Sequence, residues 1–441
     1  MKPLFTTIAL AALGLSFPAL SAAPVAAQPL PRKLDLKDAI GFALENNFAI
    51  RQARERIRQQ EGVEIQVKAR QIPNLSASST YTGNTDEISS YSYARDRYWT
   101  IALQAKQVLF AGGGVQASVK NARLTREAAV LELQGVINQE LLSVRTRFFN
   151  LLLAKERIGV QEENLKLLQQ QLRDARSRLE AGTVSNFEVL RAEVSVANGQ
   201  PPLIQARNDY RIAIEQLRQS LGAVGAGDGT PEFRGSLEVL GHGDWQLQDA
   251  IAAARSNRPE LKRLARLEEA GEQNVRSSRS AYMPEFDAIA SYTWLRGTTS
   301  TSWPNRRDGW TAGLQAQWNI FDGRATAGRV AQARSQLAQA RLSLDEANLA
   351  IEVQVRQAYS SFVEAWELVQ ASGKTVEQAQ EALRLANVRY AAGTATQLDV
   401  LTSQVALTDA RLNQLQAGYG YHVALAALRE AVGQADEFVS S

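Results

Sequence analysis

The chain of 441 residues contains no cysteine and only two histidines and two methionines. The absence of cysteine excludes disulfides, thiolate metal ligands and a lipid attached to an N-terminal cysteine. His242 lies in a glycine-rich segment and His422 near the end of the last predicted helix, and neither has clustered carboxylates at metal-ligand spacing. We therefore expect both histidines to face solvent, and we predict no catalytic site, no metal site and no cofactor.

Charge of one sign and long apolar runs are also lacking. The net charge is +3, from 49 Lys and Arg against 46 Asp and Glu, and the basic residues alternate with acids along predicted helix faces. This distribution gives no indication of nucleic-acid binding. Beyond the N-terminal segment no run of 18 unbroken apolar residues occurs. Any membrane contact of the mature chain would then have to be made by strands or by an interfacial helix.

The N-terminal residues 1–27 have the pattern of a secretory signal peptide. An apolar stretch from Leu4 to Leu20 is followed by small residues that end in Val25-Ala26-Ala27 or Ser21-Ala22-Ala23. The stretch is too short for a membrane anchor and is interrupted by Gly14 and Pro18. We expect the segment to be cleaved on export.

Proline is absent from two long segments, one at 115–179 and one at about 326–390. Their composition favours helix throughout, and each helix would be roughly 100 Å long at 1.5 Å per residue. Apolar residues spaced alternately by three and four indicate packing against other helices. These residues are Leu165, Leu168, Leu172, Ala175 and Leu179 in the first segment, and Val376, Ala379, Leu383, Ala386 and Tyr390 in the second.

The two halves of the chain repeat each other with a displacement of 211 residues, as from Arg178 to Arg389 and from Pro73 to Pro284. A tandem duplication of this kind predicts two long helical hairpins in pseudo-symmetric positions. The first returning helix contains Pro201-Pro202, which we expect to break or kink it. We predict a signal peptide at 1–27; a first repeat at 28–221 with a strand pair at 73–110 and a hairpin at 115–221; an equatorial linker at 222–246; a second repeat at 247–433 with a strand pair at 284–321 and a hairpin at 326–433; and a C-terminal tail at 434–441.

Each half also contains two segments of period-two alternation, nine to thirteen residues long. Apolar residues from Trp310 to Ile320 alternate with Thr, Gly, Gln and Asn, which is typical of transmembrane β-strands around a water-filled lumen. The alternative is a soluble antiparallel sheet with one buried face. Four strands cannot close a barrel, so the membrane interpretation requires a homo-oligomer that shares one. The predicted membrane-facing aromatic residues are Trp99, Phe286, Tyr292, Trp294, Trp310 and Trp318.

The helix ends carry the most specific motif. Tyr390-Ala391-Ala392-Gly393-Thr394 is followed by Leu398-Asp399-Val400-Leu401, and Ala181-Gly182-Thr183 by Phe187-Glu188-Val189-Leu190. With these motifs the chain resembles the outer-membrane efflux protein family, the TolC-like channels. The resemblance implies a mainly α-helical trimer with a twelve-stranded membrane β-barrel and a periplasmic coiled-coil tunnel gated at its tip. It also implies a periplasmic adaptor and an inner-membrane transporter as partners, together with outer-membrane lipid.

The resemblance further implies roles for single residues. Asp399 falls on a constricting acidic ring, whose second acid is replaced here by Thr402, while Tyr390 and Glu188 fall on positions that link neighbouring hairpins in the closed state. An arginine that the family often has after the second Gly-Thr is Ala395 here. The residues at the tips that would meet the adaptor are Gly182, Thr183, Gly393 and Thr394. The residues alone leave another interpretation of Asp399 and Glu188, as acids favoured at helix starts by the helix dipole.

The function expected from the sequence is a passive exit duct of a tripartite efflux or type I secretion system in the outer membrane. The alternative is a secreted structural or adhesive coiled-coil protein that conducts nothing. The sequence leaves open whether the cargo is a drug, a metal ion or a secreted protein.

Overall fold

A computed structural model of the chain describes residues 30–83, 97–223, 231–239, 241–297 and 306–434. The predicted signal peptide at 1–27 lies outside the described residues, as does all but the first residue of the predicted tail at 434–441.

The elements of the first repeat recur in the second with the displacement of 211 residues. The first repeat contains β1 (Lys33–Leu34), α1 (Leu36–Asn46), α2 (Phe48–Lys68), a 3-10 turn (Ala69–Gln71), β2 (Asn74–Gly83), β3 (Arg97–Ala111), α3 (Gly114–Glu180) and α4 (Asn186–Leu221). Between the repeats lies the short strand β4 (Glu232–Phe233), which is not a displaced copy of β1. The second repeat contains α5 (Leu247–Asn257), α6 (Pro259–Ser280), β5 (Glu285–Gly297), β6 (Arg306–Gln317), α7 (Ala325–Ala391) and α8 (Gln397–Val432). The prediction of two long uninterrupted helices is confirmed, since α3 and α7 each run for 67 residues.

The apolar spacing on the long helices packs each of them against its returning helix. In the first hairpin Ala175 of α3 forms a buried cluster with Val189 and Ala192 of α4. In the second hairpin Val376 of α7 packs in the same way against Leu407 and Ala410 of α8. Burial of these stripes, more than helix propensity, stabilises helices of this length.

The expected break at Pro201-Pro202 does not occur, because α4 continues from Asn186 to Leu221. Packing on both sides of the prolines holds the helix in place. Before them, a Cβ on Gly199 would lie 2.9 Å from Cδ1 of Leu168, so the two helices approach closely there. After them, Leu203 and Ala206 are buried. Tertiary contacts thus offset the two backbone hydrogen bonds that the prolines cannot make.

The four long strands form one antiparallel sheet in the order β2-β3-β5-β6. Residues directly opposite each other share a face, and the pairs Tyr81 with Trp99 and Tyr292 with Trp310 lie on the same side. We call this side the apolar strand face; it carries Tyr81, Trp99, Ile101, Leu103, Phe286, Tyr292, Trp294, Trp310 and Leu314. The opposite side, the polar strand face, carries Gln104, Lys106, Asp287, Ser291, Thr293, Gln315 and Gln317.

The last strand ends earlier than predicted. Its expected extent to Ile320 is wrong, since β6 ends at Gln317. The reason is that β5 begins at Glu285, directly opposite Gln317, so no strand lies beside the next residues. Trp318 instead donates a hydrogen bond from Nε1 to the carbonyl oxygen of Tyr282 at 3.0 Å.

The segment between the repeats packs closely on the helices. Its strand β4 pairs in parallel with β1, and Phe233 and Leu237 are buried in a core with residues of α1, α3 and α4. The contact is tight at α8, where a Cβ on Gly418 would lie 2.6 Å from the carbonyl oxygen of Leu237. A second core joins α5, α7 and α8.

The prediction that both histidines face solvent is wrong for His422. Its ring stacks on Phe149 with centroids 4.6 Å apart, and burial lowers the pKa of the imidazole below its ordinary value. His242 is exposed as expected, yet its ring stacks on Phe362 and Trp366 at 5.3 and 4.9 Å. Both rings are therefore positioned by stacking on aromatic residues. These residues are distant in sequence, so the sequence pattern did not predict the contacts.

Candidate functional site at the hairpin tips

Both hairpins turn through the same local structure at their tips. Gly182 and Gly393 take φ angles of 71° and 73°, in the left-handed region that residues with a Cβ avoid. The amide of Thr183 then donates to the carbonyl oxygen of Arg178 at 2.9 Å, and Thr394 repeats this contact with Arg389 at 2.9 Å. The threonine hydroxyls donate to the same carbonyls at 3.0 and 3.1 Å. The Gly-Thr pairs thus close the helix ends, and their predicted contact with an adaptor stays a prediction.

Asp399 lies in the first turn of α8, where it forms a capping box with Thr396. Its Oδ2 accepts hydrogen bonds from the backbone amide and the hydroxyl of Thr396, both at 2.8 Å. These bonds hold the pKa of the exposed carboxyl below its ordinary value. Asp399 is therefore an exposed, ionised carboxylate at a tip, and the helix-start interpretation describes its local contacts.

Glu188 is the counterpart of Asp399 in the first repeat, but it has a different partner. Ser185 at the start of α4 forms no side-chain cap. The longer side chain of Glu188 is free to reach the second hairpin, where its Oε2 lies 3.5 Å from the hydroxyl oxygen of Tyr390. The structure therefore brings together Tyr390 and Glu188, two of the three residues predicted to act in gating, within hydrogen-bond reach.

Arg178 also contacts Tyr390. In the sequence it was noted only as the residue that corresponds to Arg389 in the second repeat. Its guanidinium carbon lies 4.5 Å from the centroid of the Tyr390 ring, in a cation–π arrangement. Burial and the nearby Glu188 carboxylate raise the pKa of the Tyr390 phenol. Tyr390 is thus a neutral hydrogen-bond donor at neutral pH, placed between a cation and an anion of the other hairpin.

A polar layer joins the two hairpins farther from the tips. Gln404 of α8 is 1% exposed, and its Nε2 donates to Oδ1 of Asn164 in α3 at 3.0 Å. Gln171 of α3 donates from Nε2 to Oε1 of Gln404 at 2.6 Å, and the Thr408 hydroxyl donates to Oδ1 of Asn164 at 3.3 Å. None of these four residues was predicted from the sequence. The pattern that could have indicated this layer is the position of Gln404. It lies between Val400 and Leu407 at heptad spacing, on a stripe of buried residues.

The predicted membrane-facing aromatics lie on one side of the sheet, except Trp318, which lies just past the end of β6. Trp310 is 77% exposed and Trp318 58%, while Tyr292 and Trp294 contact each other with ring centroids 4.6 Å apart. No second layer of the described chain covers this face. It is therefore an exposed aromatic and apolar surface of the kind that an interaction explains.

Two classes of site are not found in the described part of the chain. None of its helices combines the length and the apolar composition needed to cross a membrane. Across the same residues, no group of three or more His, Cys, Asp or Glu side chains is placed to hold a metal ion.

Comparison with known proteins agrees with this architecture. The chain is 25% identical over 409 residues to the outer membrane efflux protein BepC of Brucella suis, covering 90% of this chain and 85% of BepC. It is 24% identical over 309 residues to the outer membrane protein TolC of Escherichia coli, covering 67% of this chain and 62% of TolC. The CmeC outer membrane channel of Campylobacter jejuni has the same fold, with a TM-score of 0.80 at 14% identity over 95% of this chain and 92% of CmeC.

The profile of the family described as "Outer membrane efflux protein" matches the chain twice, at residues 39–223 and 250–434. The two matches are displaced by the same 211 residues as the helices and strands. Since they include most of the chain, the protein belongs to the outer membrane efflux protein family and lies in the outer membrane, with its long helices extending into the periplasm.

Proposed function

We propose that three copies of this chain assemble into one outer-membrane channel that serves as the passive exit duct of a tripartite efflux or type I secretion system. The observation that carries the proposal is an antiparallel sheet of four long strands with an uncovered aromatic face, joined directly to helices of 67 residues. An uncovered apolar face of this size favours contact with lipid over a secreted adhesive protein that must stay soluble.

The sheet supports the trimer through its hydrogen bonding. Its outer strands, β2 and β6, each pair on one side only within the described residues. Open strand edges cannot be left in lipid, where no water satisfies the backbone, and four strands are too few to close on themselves. Three copies would supply twelve strands, with the apolar strand face toward lipid and the polar strand face toward a wet lumen.

The helices support a tunnel. Each 67-residue helix is roughly 100 Å long, far longer than the width of a compact domain core. Hairpins arranged around an axis would continue the lumen through the periplasm, and their tips would meet at one height because the repeats are equal in length. The energy for transport would come from an inner-membrane transporter, connected through a periplasmic adaptor that contacts the tips.

The contacts at the tips support a gate. Tyr390 and Glu188 would hold the second hairpin against the first, and three copies of Asp399 near the axis would favour cations. Opening would be an outward, iris-like movement of the inner hairpin, favoured by the adaptor. The cargo would be selected mainly by the transporter.

Planar-bilayer recording on the purified mature protein tests this function. Discrete conductance steps from a detergent-dependent trimer are expected. Protein that is soluble without detergent and conducts nothing would overturn the channel and favour the structural or adhesive alternative. A detergent-dependent trimer that conducts only after a tip substitution would support both the channel and the gate.

A further inference from the structure

A groove of about 860 Å³ lies between α2, α3 and α6, close to the start of the strands. Five cationic side chains line it: Lys68, Lys120, Arg123, Arg126 and Arg266. Three acids, Glu64, Glu127 and Glu269, line it as well. We call this surface the basic groove. Its lining residues carry a net positive charge. None of the sites described above includes this groove.

Two of the acids in the basic groove each lie close to two cations. Glu64 is 7% exposed and pairs with Lys68 at 2.6 Å and with Arg126 at 2.9 Å. Glu127 pairs with Arg123 at 3.1 Å and lies 3.6 Å from Arg266.

Lys120 is exposed and forms no ion pair with another described residue. The three arginines are each paired with an acid, Arg266 also with Glu269 at 2.9 Å. Lys120 is therefore the cation of the groove without a described ion pair, and with five cations against three acids the lining as a whole attracts an anion.

The basic groove and the cavity beside the polar strand face lie on opposite sides of α3. A second cavity, of about 300 Å³, is lined by Gly114 of α3 together with Glu285 and Gln317 of the polar strand face. Arg123 follows Gly114 by nine residues, which is about two and a half helical turns, so it lies on the opposite side of α3. The groove thus faces the surroundings of the proposed channel and not its lumen.

Its height matches the boundary of the membrane. The rings of Phe110 and Phe286 contact each other at the ends of β3 and β5, with centroids 6.1 Å apart. At the same end of the sheet Trp318 donates a hydrogen bond to the carbonyl oxygen of Tyr282, and Trp and Tyr are the aromatic residues enriched at membrane–water interfaces. The helix α3 begins at Gly114, only four residues after Phe110. Lys120 is six residues into that helix, roughly 9 Å below its start. Headgroups of the periplasmic leaflet occupy this depth.

The second repeat shows that the fold does not require two of these cations. The positions equivalent to Lys120 and Arg126 are Ala331 and Leu337, and the position of the buried Glu64 is Val275, whereas Arg123 corresponds to Arg334. Leu337 packs there against α6, with its Cδ1 3.3 Å from a Cβ placed on Gly271. Apolar residues at these positions are therefore sufficient for packing. Packing does not explain why the first repeat has charged residues at the same positions.

We propose that the basic groove binds the anionic phosphate headgroup of a phospholipid in the periplasmic leaflet. Lys120 and the guanidinium of Arg123 would contact the phosphate oxygens, while the acyl chains would extend upward along the apolar strand face. Bound at each protomer, the lipid would fix the depth of the channel in the membrane. This site depends on the outer-membrane location of the chain and is independent of conduction or gating.

Native mass spectrometry on the detergent-purified full-length mature protein tests the proposal. Phosphatidylglycerol, phosphatidylcholine and inorganic phosphate are titrated separately, and bound adducts are counted. We expect phosphatidylglycerol to be retained in preference to phosphatidylcholine. The double variant Lys120→Ala/Arg123→Gln should weaken phosphatidylglycerol retention roughly 30-fold, since each cation near a membrane surface contributes about fivefold. Lys120→Ala alone, which copies the second repeat, should weaken it about fivefold.

The matched control is Lys166→Ala/Arg173→Gln, which removes the same charges from exposed positions farther along α3. It should retain phosphatidylglycerol as the wild type does. Equal retention of the two lipids by the wild type would overturn the proposal, and so would equal losses in the test and control variants. Inorganic phosphate retained as strongly as phosphatidylglycerol would assign the groove to a free anion instead of a lipid. Circular dichroism and the oligomer mass establish that the variants are folded.

Discussion

The hydroxyl of Tyr390 in the second hairpin lies 3.5 Å from Oε2 of Glu188 in the first. At this distance the contact is at the long limit of a hydrogen bond. The cation of Arg178, whose guanidinium carbon lies 4.5 Å from the centroid of the Tyr390 ring, adds to it. In the proposed gate, contacts that are individually weak would leave the adaptor little free energy to supply on opening.

The first prediction concerns this contact. Tyr390→Phe combined with Glu188→Gln should raise the open probability of the isolated channel, by a factor of up to about five, since a bond of this kind stabilises by roughly 1 kcal/mol. Single-channel recording measures the change. The control is Glu193→Gln, which removes an exposed carboxylate of the same helix that pairs with Arg176 within the first hairpin. Identical open probabilities for wild type and double variant would show that these residues do not hold the tip closed.

The second prediction concerns the charge of Asp399. Asp399→Asn keeps an oxygen that can accept the capping hydrogen bonds but removes the charge, so cation preference should fall while the helix start is retained. Reversal potentials in a salt gradient measure the preference, and Asp409→Asn, an exposed change farther along α8, should leave it unaltered. A wild-type reversal potential in Asp399→Asn would place the constriction elsewhere.

The same carboxyl sets a pH dependence for selectivity. Hydrogen bonds from Thr396 lower its pKa, so Asp399 stays ionised as the pH falls to the ordinary aspartate range. The contribution of Asp399 to cation preference should therefore persist from neutral pH to below pH 5 and decline only at more acidic values. A decline that begins near pH 6 in the wild type, and that is absent in Asp399→Asn, would contradict this assignment.

The third prediction concerns the buried polar layer. Gln404→Leu removes the partner of the Gln171 side-chain amide and one of the two donors to Oδ1 of Asn164, which keeps only the Thr408 hydroxyl, so the free energy of unfolding should fall by about 1 kcal/mol. Chemical unfolding in detergent, followed by circular dichroism, measures this. Gln416→Leu on the same helix removes an exposed partner of Arg157 and should cost less than about 0.5 kcal/mol. Equal costs would mean that the layer is open to water.

The fourth prediction concerns His422 and acid. Burial lowers the pKa of the folded imidazole below its ordinary value of 6.5. Below that pH the unfolded chain binds a proton that the folded chain does not, so stability falls as the pH is lowered from 7.5 to 5.5. His422→Gln should flatten this part of the stability profile, whereas His242→Gln, at an exposed ring, should not. An unchanged slope in His422→Gln would show that the acid sensitivity has another source.

Sequence patterns predicted the helices and strands closely because those patterns report local physics. The proline-free segments became α3 and α7 with ends within one residue of the predicted ones. The glycines at 182 and 393 took the left-handed conformation that ends a helix there. Period-two alternation placed the aromatics of β3, β5 and β6 on one face, since the side chains of a strand alternate whatever lies beside it.

Errors arose where a neighbour distant in sequence decided the outcome. Trp318 continued the alternation but fell outside β6, because strand length is set by the partner and β5 begins only at Glu285. Pro201-Pro202 carried a local signal for a break that packing of α4 on α3 overrode. His422 was predicted to be a solvent-facing residue, but its ring is half-buried by stacking on the ring of Phe149.

By itself, then, the sequence determined the duplicated order of elements, the identity of the two faces of the sheet and the positions of the tips. All of these follow from periodicity, backbone preference and the repeat. Only the tertiary structure decided that Glu188 faces Tyr390 whereas its repeat counterpart Asp399 caps its own helix, and that cations of α2, α3 and α6 line one groove. Those facts depend on which helices lie side by side, and that is settled by the burial of side chains far apart in the chain.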